Sequence, residues 1–129
     1  MAKTLNWKLK DFEQALKTLA EALNEKEDEF IKDSIIKRFE YCFELGWKTV
    51  KIYLREKLGV DVFAPKDCFR ELRKNMLIND KEAEMLLIMT DDRNEIIHTY
   101  DLDFAEKLYK RIRKNYYGMM KKVLDVLEK

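Results

Sequence analysis

Residues 29–59 read EFIKDSIIKRFEYCFELGWKTVKIYLREKLG, and the fold follows from this stretch. Ile31, Ile35, Phe39, Cys42, Gly46, Val50 and Tyr53 recur at steps of three and four, the spacing of one face of an α-helix. Leu58-Gly59 reads as its stop, because glycine enters the left-handed conformation that ends helices. At ~1.5 Å per residue, a helix over residues 29–58 is a rod of about 45 Å. Gly46 lies on the inner stripe. A glycine there costs about 1 kcal/mol in helix propensity, and the missing side chain admits close approach by another helix.

Helical periodicity continues on both sides. Phe12, Ala15, Leu16, Leu19 and Leu23 predict a first helix over roughly residues 8–25. Val60-Asp61-Val62-Phe63-Ala64 is a short connector that could be extended. Pro65 suits the first position of a short helix carrying Cys68, Phe69 and Leu72. Asn79 with Glu82 reads as a capping box for a further helix, with Ala83, Leu86, Leu87, Thr90, Asn94 and Ile97 along it. Asp103 with Glu106 reads as a second box, opening a last helix. Its stripe is Ala105, Leu108, Ile112, Tyr116, Met119, Val123 and Val126, a near-heptad spacing that suits antiparallel packing. No repeat or linker interrupts the pattern. The expectation is one all-α domain over residues 1–129, an antiparallel up-and-down four-helix bundle with one additional short helix.

Composition narrows the function classes. Of 129 residues, 40% are charged and 47% hydrophobic, with one proline and three glycines, which argues against disorder and against an all-β domain. A net charge of +1 excludes a protein that coats nucleic acid or anionic membrane by bulk charge. One histidine excludes any single-chain site needing two imidazoles, so zinc-finger and zinc-protease readings fall. No metal and no cofactor is expected. The longest apolar run is Met85 to Met89, and neither a signal peptide nor a membrane span is expected. Cys42 and Cys68, isolated and without metal-ligand spacing, read as reduced core thiols of a cytoplasmic protein. Abundant Lys and Glu beside a single Gln14 and Ser34 lean towards a thermophile, while six Asn and six Met lean away.

The near-neutral total hides a segregation. Residues 79–103 set Lys81 and Arg93 against eight carboxylates, a net −6. Residues 104–129 carry eight Lys and Arg against Glu106, Asp125 and Glu128, a net +5, with Tyr109, Tyr116 and Tyr117 interleaved. Such a pair fits either a phosphate-tracking surface beside an acidic helix or two neighbouring helices tied by ion pairs. Trp47, Phe39 and Phe43 read as core or dimer interface, and Met85, Met89, Met119 and Met120 as packing.

Chemistry concentrates in Thr90-Asp91-Asp92-Arg93-Asn94-Glu95-Ile96-Ile97-His98-Thr99-Tyr100-Asp101. Asn94 and His98, four apart, share a helix face, and Asp101 would join them if the helix continued. Arg93, five before His98, lies about 140° away round a straight helix. Three readings fit. The first is a helix-end histidine near the negative dipole end, with Arg93 paired to a carboxylate. The second is a metal face of Asp91, Glu95 and His98, completed by Glu40 and Glu44 of the long helix, which needs a second copy. The third is metal-free phosphate chemistry: Arg93 holds the phosphate, His98 moves protons, and Asn94 orients one of them. Glu40 and Glu44 are also the carboxylates available to pair with Arg93 across the bundle.

Arg93, four residues, His98, x, Tyr100 resembles the R-x4-H-x-Y motif of the HEPN (higher eukaryotes and prokaryotes nucleotide-binding) superfamily. Arg38-Phe39-Glu40-Tyr41-Cys42-Phe43-Glu44-Leu45-Gly46-Trp47-Lys48 is similar to the long-helix signature of the nucleotidyltransferase substrate-binding proteins, or HepT-like toxins. Asp91-Asp92-Arg93-Asn94 through His98-Thr99-Tyr100-Asp101 is similar to their second signature, and the likeness covers roughly residues 30–110. The resemblance implies a homodimer that brings Arg93 and His98 of both chains towards a shared cleft, and a small nucleotidyltransferase partner. It implies a toxin-type endoribonuclease acting on RNA without metal, with Arg93, His98 and Asn94 catalytic and Asp92, Asp101, Glu40 and Glu44 supporting. The partner antitoxin would silence it by transferring AMP to Tyr100. The alternative the family suggests is a non-catalytic subunit that binds substrate or nucleotide for the transferase.

Overall fold

The long helix forms where the stripe places it. The computed structural model describes residues 2–98 and 101–129, and its second helix, α2, spans Glu29–Leu58. Asp28 caps the start, its carboxylate accepting from the Ile31 N–H at 2.8 Å. Gly59, at φ 67°, closes the end, its N–H donating to the Arg55 carbonyl while that of Val60 reaches back to Leu54. Ile35, Phe39, Cys42, Phe43, Gly46, Val50 and Leu54 are buried along it.

Around this rod stand α1 (Ala2–Leu23), α3 (Pro65–Lys74), α4 (Asp80–His98), α5 (Leu102–Arg111), a π-helical turn (Ile112–Tyr116) and α6 (Tyr117–Glu128). Among the described residues no strand forms, and the 60–64 connector is irregular. α2 touches α1, α3, α5 and α6, while α4 packs on α3 and α6. No described helix is long and apolar enough to cross a membrane. Both cysteines are buried and unpaired, and burial pushes each thiol up to about 12.

Several expectations need revision. The first helix begins at Ala2, because Leu5 extends the buried face of Phe12, Leu16 and Leu19 by two turns. Asn79 and Glu82 do form a reciprocal capping box, each side chain accepting from the other's N–H. The second cap is Asp101 rather than Asp103: its carboxylate accepts from the Asp103 N–H, so the helix starts two residues earlier. On α4 the inner stripe includes Met89 and Asp92, while Asn94 faces solvent and Ile97 is 69% exposed. Asp92 is drawn inward by polar partners, and Ile97, five residues on, is turned away from that side. The expected single last helix is broken by the π-helical turn, where Tyr117 N–H donates to the Ile112 carbonyl.

Gly46 marks a real close approach. A Cβ built there meets the Phe12 ring at 3.0 and 3.1 Å, and Phe12 is fully buried. Gly118, also helical, has open space around the same position. Alanine at Gly118 should therefore stabilise by up to about 1 kcal/mol through propensity alone. Alanine at Gly46 should instead destabilise by about 1–2 kcal/mol, because displacing Phe12 outweighs that gain. Urea denaturation of the two variants reads the opposite signs.

Candidate functional site

The motif residues divide over two faces of the C-terminal half of α4. Arg93 turns towards α2, half-buried. Its Nη2 donates to Glu44 Oε2 at 2.6 Å, its Nη1 donates to Asn94 Oδ1 at 3.3 Å, and its guanidinium lies 5.4 Å over the Phe43 ring. Glu44 also meets Lys48 Nζ at 3.0 Å and accepts from Trp47 Nε1 at 3.2 Å. Two cations thus share one carboxylate, and the cluster keeps a net positive charge. An arginine fork has five N–H donors, and among the described residues the others have no partner, as binding an anion would require. Accepting through Oδ1 points the Asn94 amide nitrogen outwards as a further donor.

Burial alone would raise the Glu44 carboxyl, but the hydrogen bonds from Lys48 and Trp47 and the charge of Arg93 outweigh it and hold the group below its ordinary value of 4.5. A depressed folded-state pKa contributes stability that is complete above the unfolded value and is lost as pH falls through the folded one. Glu44→Gln should accordingly lower stability near neutrality, where that contribution is complete, and flatten the further loss below about pH 4.5. Melting temperatures of both proteins across the acid range check this.

Asp92, the neighbour of Arg93, turns towards α5 and the π-helical turn instead and is only 9% exposed. Arg111 Nη1 donates to both of its oxygens at 2.9 Å, and the Tyr116 hydroxyl donates to Oδ2. Burial, first, and the adjacent carboxylate, second, push the Tyr116 hydroxyl well above its ordinary range, so it stays a donor. Sequence reasoning missed Arg111 and Tyr116. They stand five apart, a spacing that a regular helix does not bring to one acceptor.

His98 is the last residue of α4 and is exposed. Five residues apart, it lies about 140° round the helix from Arg93. Asp101, spent on capping α5, does not join the Asn94–His98 face. Together with Glu40 it edges a groove of about 320 Å3 floored by Ile36, Ile96, Phe104 and Leu108. Tyr100, the expected modification site, lies outside the described residues. Of the supposed metal face, Asp91 is paired with Lys66 at 2.6 Å. Among the described residues, no three His, Cys, Asp or Glu side chains gather as a metal would require. The acidic and basic segments meet through Arg111–Asp92 and through Lys122–Glu82 at 2.5 Å.

Comparison with known proteins gives the chain a context. A family model described as nucleotidyltransferase substrate binding protein like matches residues 7–129. A Thermus thermophilus protein of known crystal structure is 38% identical, with a TM-score of 0.85, over 92% of this chain and 99% of that one. A tri-AMPylated Shewanella oneidensis HEPN toxin, solved in complex with its MNT antitoxin, is 19% identical with a TM-score of 0.80, over 99% of this chain and 98% of that one. A mutant MntA-HpeT toxin–antitoxin complex contains a chain 18% identical with a TM-score of 0.78, over 96% of each. The fold is therefore shared with these HEPN toxins. No curated protein sequence matches the chain significantly.

Proposed function

The chain belongs to the nucleotidyltransferase substrate binding protein like family, and on that premise we propose that it is a HEPN toxin-type, metal-independent endoribonuclease neutralised by a small nucleotidyltransferase. The observation that carries this reading is the Arg93 guanidinium. Glu44 and Asn94 anchor it on one side, its remaining donors have no partner among the described residues, and the protein's single imidazole stands five residues on.

In this reading the working unit is a homodimer of antiparallel up-and-down bundles, because Arg93 and His98 of one chain point apart. Arg93 and the amide of Asn94 bind a phosphodiester, and the guanidinium charge with the amide N–H donors stabilises the oxygens of the five-coordinate transition state. His98 of one copy accepts the proton of the 2′-hydroxyl as that oxygen bonds to phosphorus. The bond from phosphorus to the 5′-oxygen breaks, and the same imidazole, now protonated, returns the proton to the leaving oxygen. Asp92, Glu44, Glu40 and Asp101 position these groups and do not touch the reacting atoms.

Neutralisation follows from Tyr100, two residues past the end of α4. The partner transfers AMP from ATP to its hydroxyl, releasing pyrophosphate and adding a negatively charged phosphodiester to the motif. The test uses RNA in EDTA, with and without prior incubation with the partner and ATP. Cleavage that disappears as the chain gains AMP mass, and persists in Tyr100→Phe, supports the reading. Modification without any cleavage in the untreated protein would favour the second reading, a binding subunit for the transferase, which the family's own description supports.

A further inference from the structure

The ring of contacts that joins Arg93 to Tyr116 has no part in the chemistry above. The Arg93 guanidinium lies over Phe43 at 5.4 Å. Phe43 packs on Phe39 at 6.3 Å, and Phe39 stacks on Tyr116 at 5.7 Å between centroids. The Tyr116 hydroxyl donates to Asp92, which is bonded along the chain to Arg93. The circuit thus closes on the motif arginine from both its side chain and its backbone.

Two features of this circuit are costly on their own. A buried carboxylate is costly to desolvate, and pairing it with arginine is weak evidence of net stabilisation. A π-helical turn departs from regular helix geometry and occurs mostly at functional sites. In a regular α-helix Arg111 and Tyr116, five apart, would diverge by about 140°. The wider turn of Ile112–Tyr116, with its i to i+5 bond, narrows that divergence. Both then reach Asp92, Arg111 through Nη1 to both oxygens at 2.9 Å and Tyr116 through its hydroxyl.

We infer that the π-helical turn exists to place Arg111 and Tyr116 on Asp92, and that Tyr116 and Arg111 are positioning residues that fix the Arg93 guanidinium for the phosphate. This rests on the endoribonuclease reading for its catalytic consequence, though not for its geometry. Asp92, held by Arg111 and Tyr116, sets the rotation of α4 about its axis. The aromatic stack sets the surface on which the guanidinium lies. Loss of the Tyr116 hydroxyl frees the first, while the ring of a phenylalanine keeps the second.

The test compares Tyr116→Phe, Arg111→Ala and Arg111→Lys in the full chain, with Tyr109→Phe as a control. Tyr109 also loses a hydroxyl hydrogen bond, that from Arg113 at 3.0 Å, away from Asp92. Two readouts are used: steady-state RNA cleavage and the Nε–H resonance of Arg93 in 1H–15N spectra. Tyr116→Phe and Arg111→Ala are expected to lower kcat about tenfold with KM within about twofold, as a misplaced but still binding group does. The Arg93 resonance should move or broaden in both. Arg111→Lys, whose ammonium can occupy the Nη1 position, should restore most of kcat, and Tyr109→Phe should change neither readout. A wild-type kcat and an unmoved Arg93 resonance in Tyr116→Phe would overturn the inference. If Tyr116→Phe does not fold, the exposed Arg111 variants decide on the same criteria. If wild-type protein does not cleave RNA, the endoribonuclease reading falls, and the Arg93 resonance alone still supports or refutes the positioning.

Discussion

Arg93→Ala and His98→Ala are each expected to reduce RNA cleavage by about 10³-fold or more. Removing one preorganised donor to a developing oxyanion typically costs 10²–10³-fold, and removing a general acid–base 10²–10⁴-fold, both to order of magnitude. Arg93 sits at the upper end of its range, because it is the cation that the surrounding residues hold in place. The opposed faces of the two residues add a sharper outcome. Mixing subunits of the two inactive variants should restore part of the cleavage, since one of the two sites in a mixed dimer then has Arg93 from one chain and His98 from the other. Sites confined to single chains would give no recovery. Cleavage by gel assay on a purified, mixed and re-equilibrated sample reads both results.

Phe39→Ala is the substitution expected to harm the fold most. Phe39 is fully buried on α2 and packs against Phe43 and Tyr116, so it joins the long helix to the π-helical turn. Truncating a buried phenylalanine costs about 3–5 kcal/mol, from lost transfer energy and the cavity left behind. For a chain of this length that lowers the melting temperature by roughly 10–20 °C. Phe39→Leu, which keeps most of the volume, should cost less than half as much. Thermal unfolding followed by circular dichroism checks both, and a loss below about 1 kcal/mol for alanine would place Phe39 outside the core. Because the ring of contacts runs through Phe39, the folded fraction of Phe39→Leu should also show a disturbed Arg93.

The long helix was legible because its signals agree: an unbroken apolar stripe over 29–58, a glycine stop at Gly59, and a glycine at the one inner position where Phe12 crowds in. The Asn79–Glu82 box was legible for the same reason, since capping is a local exchange of two hydrogen bonds. The motif residues stood out because the single histidine, an arginine, an asparagine and four carboxylates crowd into residues 90–101. The resemblance chose among the readings they allow, and the 100° step of a helix is enough to separate Arg93 from His98. The Asp101 cap was hidden because Asp101 and Asp103 are both good caps, and a two-residue choice depends on packing of the following helix. The π-helical turn was hidden for a deeper reason. Leu108, Ile112, Tyr116 and Met119 keep a stripe at steps of four, four and three, which an α-helix also satisfies. Only tertiary partners, here one buried carboxylate reached from Arg111 and Tyr116, distinguish the wider turn. The same partners explain why Asp92, a charged residue in a polar-looking run, is buried while Ile97 is exposed.

The charge segregation also changes its meaning. Arg111 and Lys122 are occupied by Asp92 and Glu82, so part of the basic helix serves as the counterpart of α4. Surface pairs of this kind contribute little to stability. The Arg111 pair differs because its carboxylate is buried and adjoins the motif arginine.

If one arginine and one imidazole cleave RNA without a metal ion, the reaction must survive chelation and must need both side chains. The most direct measurement is cleavage of RNA by the purified wild-type chain in excess EDTA, run beside Arg93→Ala and His98→Ala prepared identically. Unimpaired cleavage by wild type is expected, with none above background by either variant. Wild-type cleavage abolished by EDTA, or equal cleavage by all three proteins, would contradict it.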